Sequence, residues 1–119
     1  MKVLIIDDSN FQRKIVKSLV ESLGLKSIEA ENGDIGLNML KSERVDCIVL
    51  DLLMPGKSGI EVLQELKSEG NTIPVIVLSA DIQKTTRENV DQLGAHIFIN
   101  KPLKKEELIS SIKSALKIS

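Results

Sequence analysis

Five short runs rich in leucine and β-branched residues recur along the chain, at 2–6, 26–30, 47–50, 74–78 and 97–99. Each is followed by a longer stretch whose apolar residues return with helical spacing, the last of them ending with the chain. Such alternation is the pattern of a parallel sheet covered by helices on both faces. Three of the runs are almost wholly apolar, as strands buried on both faces must be. The fold class expected from the pattern is therefore α/β.

The first helical stretch places Phe11, Ile15, Leu19 and Leu23 four apart, with Val16 and Val20 widening the stripe and Gly24 as its stop signal. All six are expected to pack on the sheet. The last stretch repeats the pattern with Leu108, Ile109, Ile112, Ala115 and Leu116. Between them, helices are expected over 34–41, 58–68 and 82–93, with Gly70-Asn71 and Gly94-Ala95 turning the chain back into strands. The helix over 82–93 is unusual in having only Ile82, Val90 and Leu93 as strong apolar anchors, so looser docking is expected of it. No repeat, linker or low-complexity tract divides the 119 residues, and a single domain over 1–119 is the expectation.

Composition narrows the function. Aromatics make up 2% of the chain, so Leu, Ile and Val must fill the core. Sixteen basic residues face seventeen acidic ones without a basic cluster, which argues against nucleic acid or a lipid surface as partner. The apolar opening is cut off at Asp7 and Asp8, short of the roughly 7 to 15 residues of a signal-peptide core, and no spanning run follows. A cytoplasmic location without membrane insertion is expected. Lone Cys47 sits in an apolar run and reads as an inert core thiol.

In an open parallel sheet, ligands bind beyond the carboxyl ends of the strands. Those ends carry Asp7 and Asp8 after the first run, Asp51 after the third, Ser79 after the fourth and Lys101 after the fifth. Singly, each has an ordinary explanation. Asp8 or Ser9 could cap the helix beginning near Asn10, Asp51 could serve a turn, Ser79 could bond a neighbouring peptide, and Lys101 could be a solvated charge. Together they are harder to dismiss, because three crowded carboxylates raise one another's pKa unless a cation compensates. Hard oxygen donors without a Cys or His pair favour Mg²⁺, with Mn²⁺ able to substitute. One carboxylate then remains as a nucleophile toward a phosphoryl group, while a lysine and a hydroxyl neutralise the transferred oxygens.

At this point the chain resembles the receiver domains of two-component response regulators, of the CheY type. The matching blocks are Lys2-Val3-Leu4-Ile5-Ile6-Asp7-Asp8-Ser9, Asp51-Leu52-Leu53-Met54-Pro55-Gly56 with Gly59, Val77-Leu78-Ser79-Ala80, and Lys101-Pro102. The resemblance implies a flavodoxin-like, doubly wound five-stranded sheet in order 2-1-3-4-5. It implies Asp51 as phosphoacceptor, Asp7 and Asp8 as metal ligands with the Leu53 backbone carbonyl, and Ser79 and Lys101 as partners of the phosphoryl group. It further implies a switching aromatic at Phe98 and a cis Lys101-Pro102 bond. The implied partners are a sensor histidine kinase or histidine phosphotransfer protein and a downstream target protein. That target would meet the face made by the helix over 82–93, the strand at 97–99 and the last helix. With no output segment in the chain, action through another protein is expected. A chemotaxis role and a phosphorelay role fit the residues equally.

Two other functions compete. A metal-dependent phosphohydrolase acting on a small phosphate ester could use the same carboxylates, although no insertion is evident to build a substrate cap. A nucleotide- or flavin-binding module on this architecture is disfavoured, since Asp7-Asp8-Ser9-Asn10 offers charge where phosphate would need glycines. His96, the sole histidine, is expected at a strand edge and not as a phosphate carrier.

Overall fold

The computed structural model describes residues 1–81 and 83–118. Five strands and five helices alternate: β1 (Lys2–Ile6), α1 (Asn10–Ser22), β2 (Lys26–Ala30), α2 (Gly33–Met39), β3 (Cys47–Asp51), α3 (Gly59–Ser68), β4 (Val75–Ser79), α4 (Lys84–Gln92), β5 (Ile97–Asn100) and α5 (Lys105–Leu116). The strands form one sheet in the order β2-β1-β3-β4-β5, parallel at every pairing. Order and class agree with expectation.

Successive strand residues point to opposite faces, so each strand feeds two cores. Leu4, Ile6, Ile48, Leu50, Val75 and Val77 pack with residues of α3 and α4 on one side. Val3, Ile5, Cys47, Val49, Ile76, Leu78 and Ile99 pack with α1 and α5 on the other. The central β3 and β4 are buried at every position, which is why their sequences are apolar up to the terminal Asp51 and Ser79. Cys47 is fully buried and its thiol is pushed up to about 12, chiefly by loss of solvation.

The first helix departs from expectation. Val16 and Val20 are fully buried, but Phe11 is 77% exposed and Ile15 38% exposed. A row spaced four apart advances about 40° around the helix at each step, because four residues exceed one turn of 3.6. The contact line runs through Val16, Val20 and Leu23, which leaves Phe11 on the far side. Ser9 caps this helix, accepting the Gln12 amide at 3.1 Å.

Boundaries shift slightly elsewhere. β4 begins at Val75, since Pro74 has no amide to give the ladder, although its carbonyl accepts from Ile48. α4 begins at Lys84, and the expected anchor Ile82 lies outside the described residues. Val90 is the one fully buried side chain described in α4, in keeping with light docking. Gly70 and Gly94 end α3 and α4 with φ of 72° and 90°, a region that costs other residues steric strain.

Candidate functional site

Parallel strands that end level with one another bring their following residues to one edge. Asp7 follows β1, Asp51 ends β3, Ser79 ends β4 and Lys101 follows β5. Carboxylate oxygens of Asp7, Asp8 and Asp51 lie within 4.8 Å of one another. Asp7 and Asp51 are buried, whereas Asp8 faces solvent. Lys101 reaches the cluster with its ammonium 3.3 Å from Asp51 Oδ1, an atom that also accepts the Leu53 amide at 3.4 Å. The peptide bond between Lys101 and Pro102 is cis.

Local structure fixes these groups. The Asp7 amide donates to the Ala30 carbonyl, and Asp7 Oδ1 accepts the Ser9 amide at 2.9 Å. Gly59 opens α3 against the backbone after β3; a Cβ there would lie 2.6 Å from both the Asp51 carbonyl oxygen and Leu52 Cα. Only glycine lets the helix approach the acceptor this closely. The Lys101 amide donates to the Ser79 carbonyl at 2.8 Å, tying the last two strand ends together.

The residues present suit a hard divalent cation. Asp7 Oδ2 is buried with no hydrogen-bond partner among the described residues. Burial, then the nearby Asp51 charge, push the Asp7 carboxyl up to about 6, against the opposing pull of the Ser9 amide and Lys101. A cation among these oxygens would satisfy the orphaned atom and offset the repulsion.

Of the remaining candidates, Ser79 is fully buried, and its hydroxyl oxygen accepts the Asp81 amide at 3.0 Å. Asp81 in turn holds the start of α4: Oδ1 accepts the Gln83 amide and Oδ2 the Thr86 hydroxyl, bonds that keep its carboxyl below the ordinary range. Phe98 lies apart from the acidic cluster, half-buried on β5 opposite Val77, with the Arg87 guanidinium 5.5 Å from its ring centre. Leu53 exposes its side chain, so only its backbone is a candidate for the site. His96 lies just before β5 with Nε2 3.2 Å from Ser114 Oγ. Sequence reasoning missed the Asp81 clasp on Thr86 and the Arg87–Phe98 stack. A lone aspartate ahead of a helix is a generic capping signal that does not name its partner, and the stack left no local signal.

Comparison with known proteins places this geometry. The model of the response regulator receiver domain matches residues 3–113. The polar-differentiation response regulator DivK of Brucella anthropi is 34% identical over 96% of this chain and 94% of its own. The phosphate regulon transcriptional regulatory protein PhoB of Escherichia coli is also 34% identical, but the chain spans only 52% of its length. Among solved structures, the Francisella response regulator 1452 receiver domain superposes with a TM-score of 0.92 at 29% identity, covering 98% of this chain and 96% of that one. The Vibrio cholerae chemotaxis protein CheY4 does so with 0.89 at 25% identity, covering 97% and 98%. The chain belongs to the response regulator receiver domain family. It is thus a component of two-component signalling, a family of signalling proteins and not of classical enzymes. Receiver domains are phosphorylated by histidine kinases, act on downstream targets and in general bind Mg²⁺. The phosphohydrolase alternative is not favoured. No helix among the described residues is long and apolar enough to cross a membrane.

Proposed function

We propose that residues 1–119 form one cytoplasmic receiver domain that takes a phosphoryl group onto Asp51 from a phosphohistidine donor. The observation that carries this reading is the buried Asp51 carboxylate, set between two further carboxylates and the Lys101 ammonium. Asp51 attacks the phosphorus in line; an O–P bond forms, and the N–P bond of the donor breaks with its electron pair returning to the imidazole. Asp7, Asp8, Asp51 and the Leu53 carbonyl would hold Mg²⁺ or Mn²⁺, which supplies charge neutralisation for the phosphoryl oxygens when bound. Lys101 pairs with the phosphoryl group. The Ser79 hydroxyl accepts the Asp81 amide and so keeps its own proton free for a phosphoryl oxygen. On this reading the same site would also support self-phosphorylation by small acyl phosphates and self-dephosphorylation at Asp51.

Output follows from the links at Ser79. A shift of its hydroxyl toward the phosphoryl group would release the Asp81 amide, and Asp81 holds the start of the lightly docked α4. Beside α4 lies a groove of about 480 Å³ lined by Lys84, Arg87, Val90, His96 and Phe98 among others. Repacking of Phe98 would reshape this α4-β5-α5 face, where a target protein binds. Amide hydrogen exchange with and without a beryllofluoride mimic is the test. Altered exchange over 84–92 and 97–100 is expected, and changes confined to the loops bearing Asp7, Asp8 and Leu53 would refute the output face.

A further inference from the structure

The loop carrying Asp7 and Asp8 is gripped from outside the acidic cluster, and we infer that Arg13, anchored by Glu29, is a positioning residue for the divalent-cation site. This depends on the metal role proposed above for Asp7 and Asp8. Arg13 stands in the first turns of α1 with its side chain only 12% exposed. Its guanidinium bridges three elements. One Nη donates to the Asp7 backbone carbonyl at 2.6 Å, the other to Asn10 Oδ1 at 3.1 Å, and Nε donates to Glu29 Oε1 on β2 at 3.3 Å.

The grip falls on one particular peptide group. The Asp7 amide is already fixed by Ala30 and one carboxylate oxygen by the Ser9 amide. Arg13 fixes the carbonyl, and with it the plane of the Asp7–Asp8 peptide. Turning that plane changes ψ of Asp7 and φ of Asp8, so it sets the direction in which the exposed Asp8 carboxylate leaves the backbone relative to buried Asp7. Asp8 accepts no side-chain hydrogen bond among the described residues, so its backbone direction carries most of its aim. Mg²⁺ demands near-octahedral geometry and tolerates misplaced ligands poorly. Groups that orient metal ligands from behind typically cost 10- to 100-fold in affinity when removed.

Glu29 is built to hold the arginine still. It is 20% exposed at the side chain and is met by Lys14 Nζ at 2.9 Å and Lys17 Nζ at 3.7 Å as well as by Arg13. Three cations keep it ionised, the Lys14 hydrogen bond being the largest influence holding its carboxyl below the ordinary range. A planar fork that serves Nε and both Nη positions at once suits arginine and not lysine.

The test is a Mg²⁺ titration of the full chain by calorimetry and by ¹H–¹⁵N amide shifts, because a chain without Trp or Tyr gives little intrinsic fluorescence. Unfolding in EDTA is measured alongside. Arg13→Ala is expected to stay folded and bind Mg²⁺ at least about 10-fold more weakly, Arg13→Lys to regain part of the loss, and Glu29→Gln to lose roughly threefold. A purely structural pin would lower stability in EDTA and leave affinity alone, so a folded Arg13→Ala within about twofold of the parent affinity overturns the inference. Should Arg13→Ala fail to fold, Glu29→Gln decides: weakened binding supports the role and unchanged binding overturns it. Asp8→Ala separates the two levels. If it weakens Mg²⁺ binding while Arg13→Ala does not, only the positioning role fails; if it too leaves affinity unchanged, the metal site fails and the positioning role with it.

Discussion

Replacing Asp7 with Asn should make the metal-free protein more stable while damaging its function. Asp7 is 2% exposed, one of its oxygens has no hydrogen-bond partner among the described residues, and its carboxyl titrates at about 6 in place of the ordinary 3.8. A carboxyl whose pKa is raised by folding binds its proton more tightly in the folded state than in the unfolded one. Its contribution is therefore most favourable below pH 3.8, and stability is lost as pH rises from there toward 6. The rise from 3.8 to about 6 corresponds to about 3 kcal/mol at neutral pH, at about 1.36 kcal/mol for each tenfold change in proton affinity. Asn keeps an oxygen for the Ser9 amide and carries no charge to be desolvated or to repel Asp51. In EDTA at pH 7.5, urea unfolding should place Asp7→Asn about 2–3 kcal/mol above the parent with an unchanged m-value. The advantage should shrink as pH falls below 6 and vanish near pH 4. Saturating Mg²⁺ should then stabilise the parent and not the variant. Equal or lower stability of Asp7→Asn in EDTA at pH 7.5 would refute the reasoning, as would a difference between the two proteins that does not change between pH 4 and 7.

Two further outcomes follow from burial. Phe11→Gln should change stability by less than about 0.5 kcal/mol, whereas Val20→Ala should cost about 2 kcal/mol, despite Phe11 being the larger apolar residue; denaturant midpoints for both variants check this. Cys47, fully buried with its thiol pushed up to about 12, should resist an alkylating reagent at pH 8 in native buffer and react fully in urea, as read by intact mass.

Much of this architecture is written plainly in the chain. Strands β3 and β4, buried at every residue, are apolar up to their last positions, so their existence and buried character could be read directly and their ends to within a residue. The residues at their carboxyl ends were legible for the same reason: a charged or hydroxyl side chain that interrupts an apolar run stands out. Helix faces were harder. The row from Phe11 to Leu23 has a regular spacing, yet its first two members face solvent because spacing does not say where along the row the sheet makes contact. Contacts between distant elements left no local trace. The fork of Arg13 on Asp7, Asn10 and Glu29 joins a helix, a loop and a strand, and the Arg87–Phe98 stack joins α4 to β5. Such pairings emerge only once the sheet order has put the elements side by side.

The central claim is that Asp51 is the residue phosphorylated. Intact-mass spectrometry of the chain after incubation with a small acyl phosphate tests it most directly, run with Mg²⁺, with EDTA, and on Asp51→Asn. One added phosphoryl group in Mg²⁺, none in EDTA and none on the Asn variant is the predicted result, since the two neighbouring carboxylates must be offset before an anionic donor can approach. Equal labelling of Asp51→Asn, or labelling of the parent that does not depend on the metal, would contradict it.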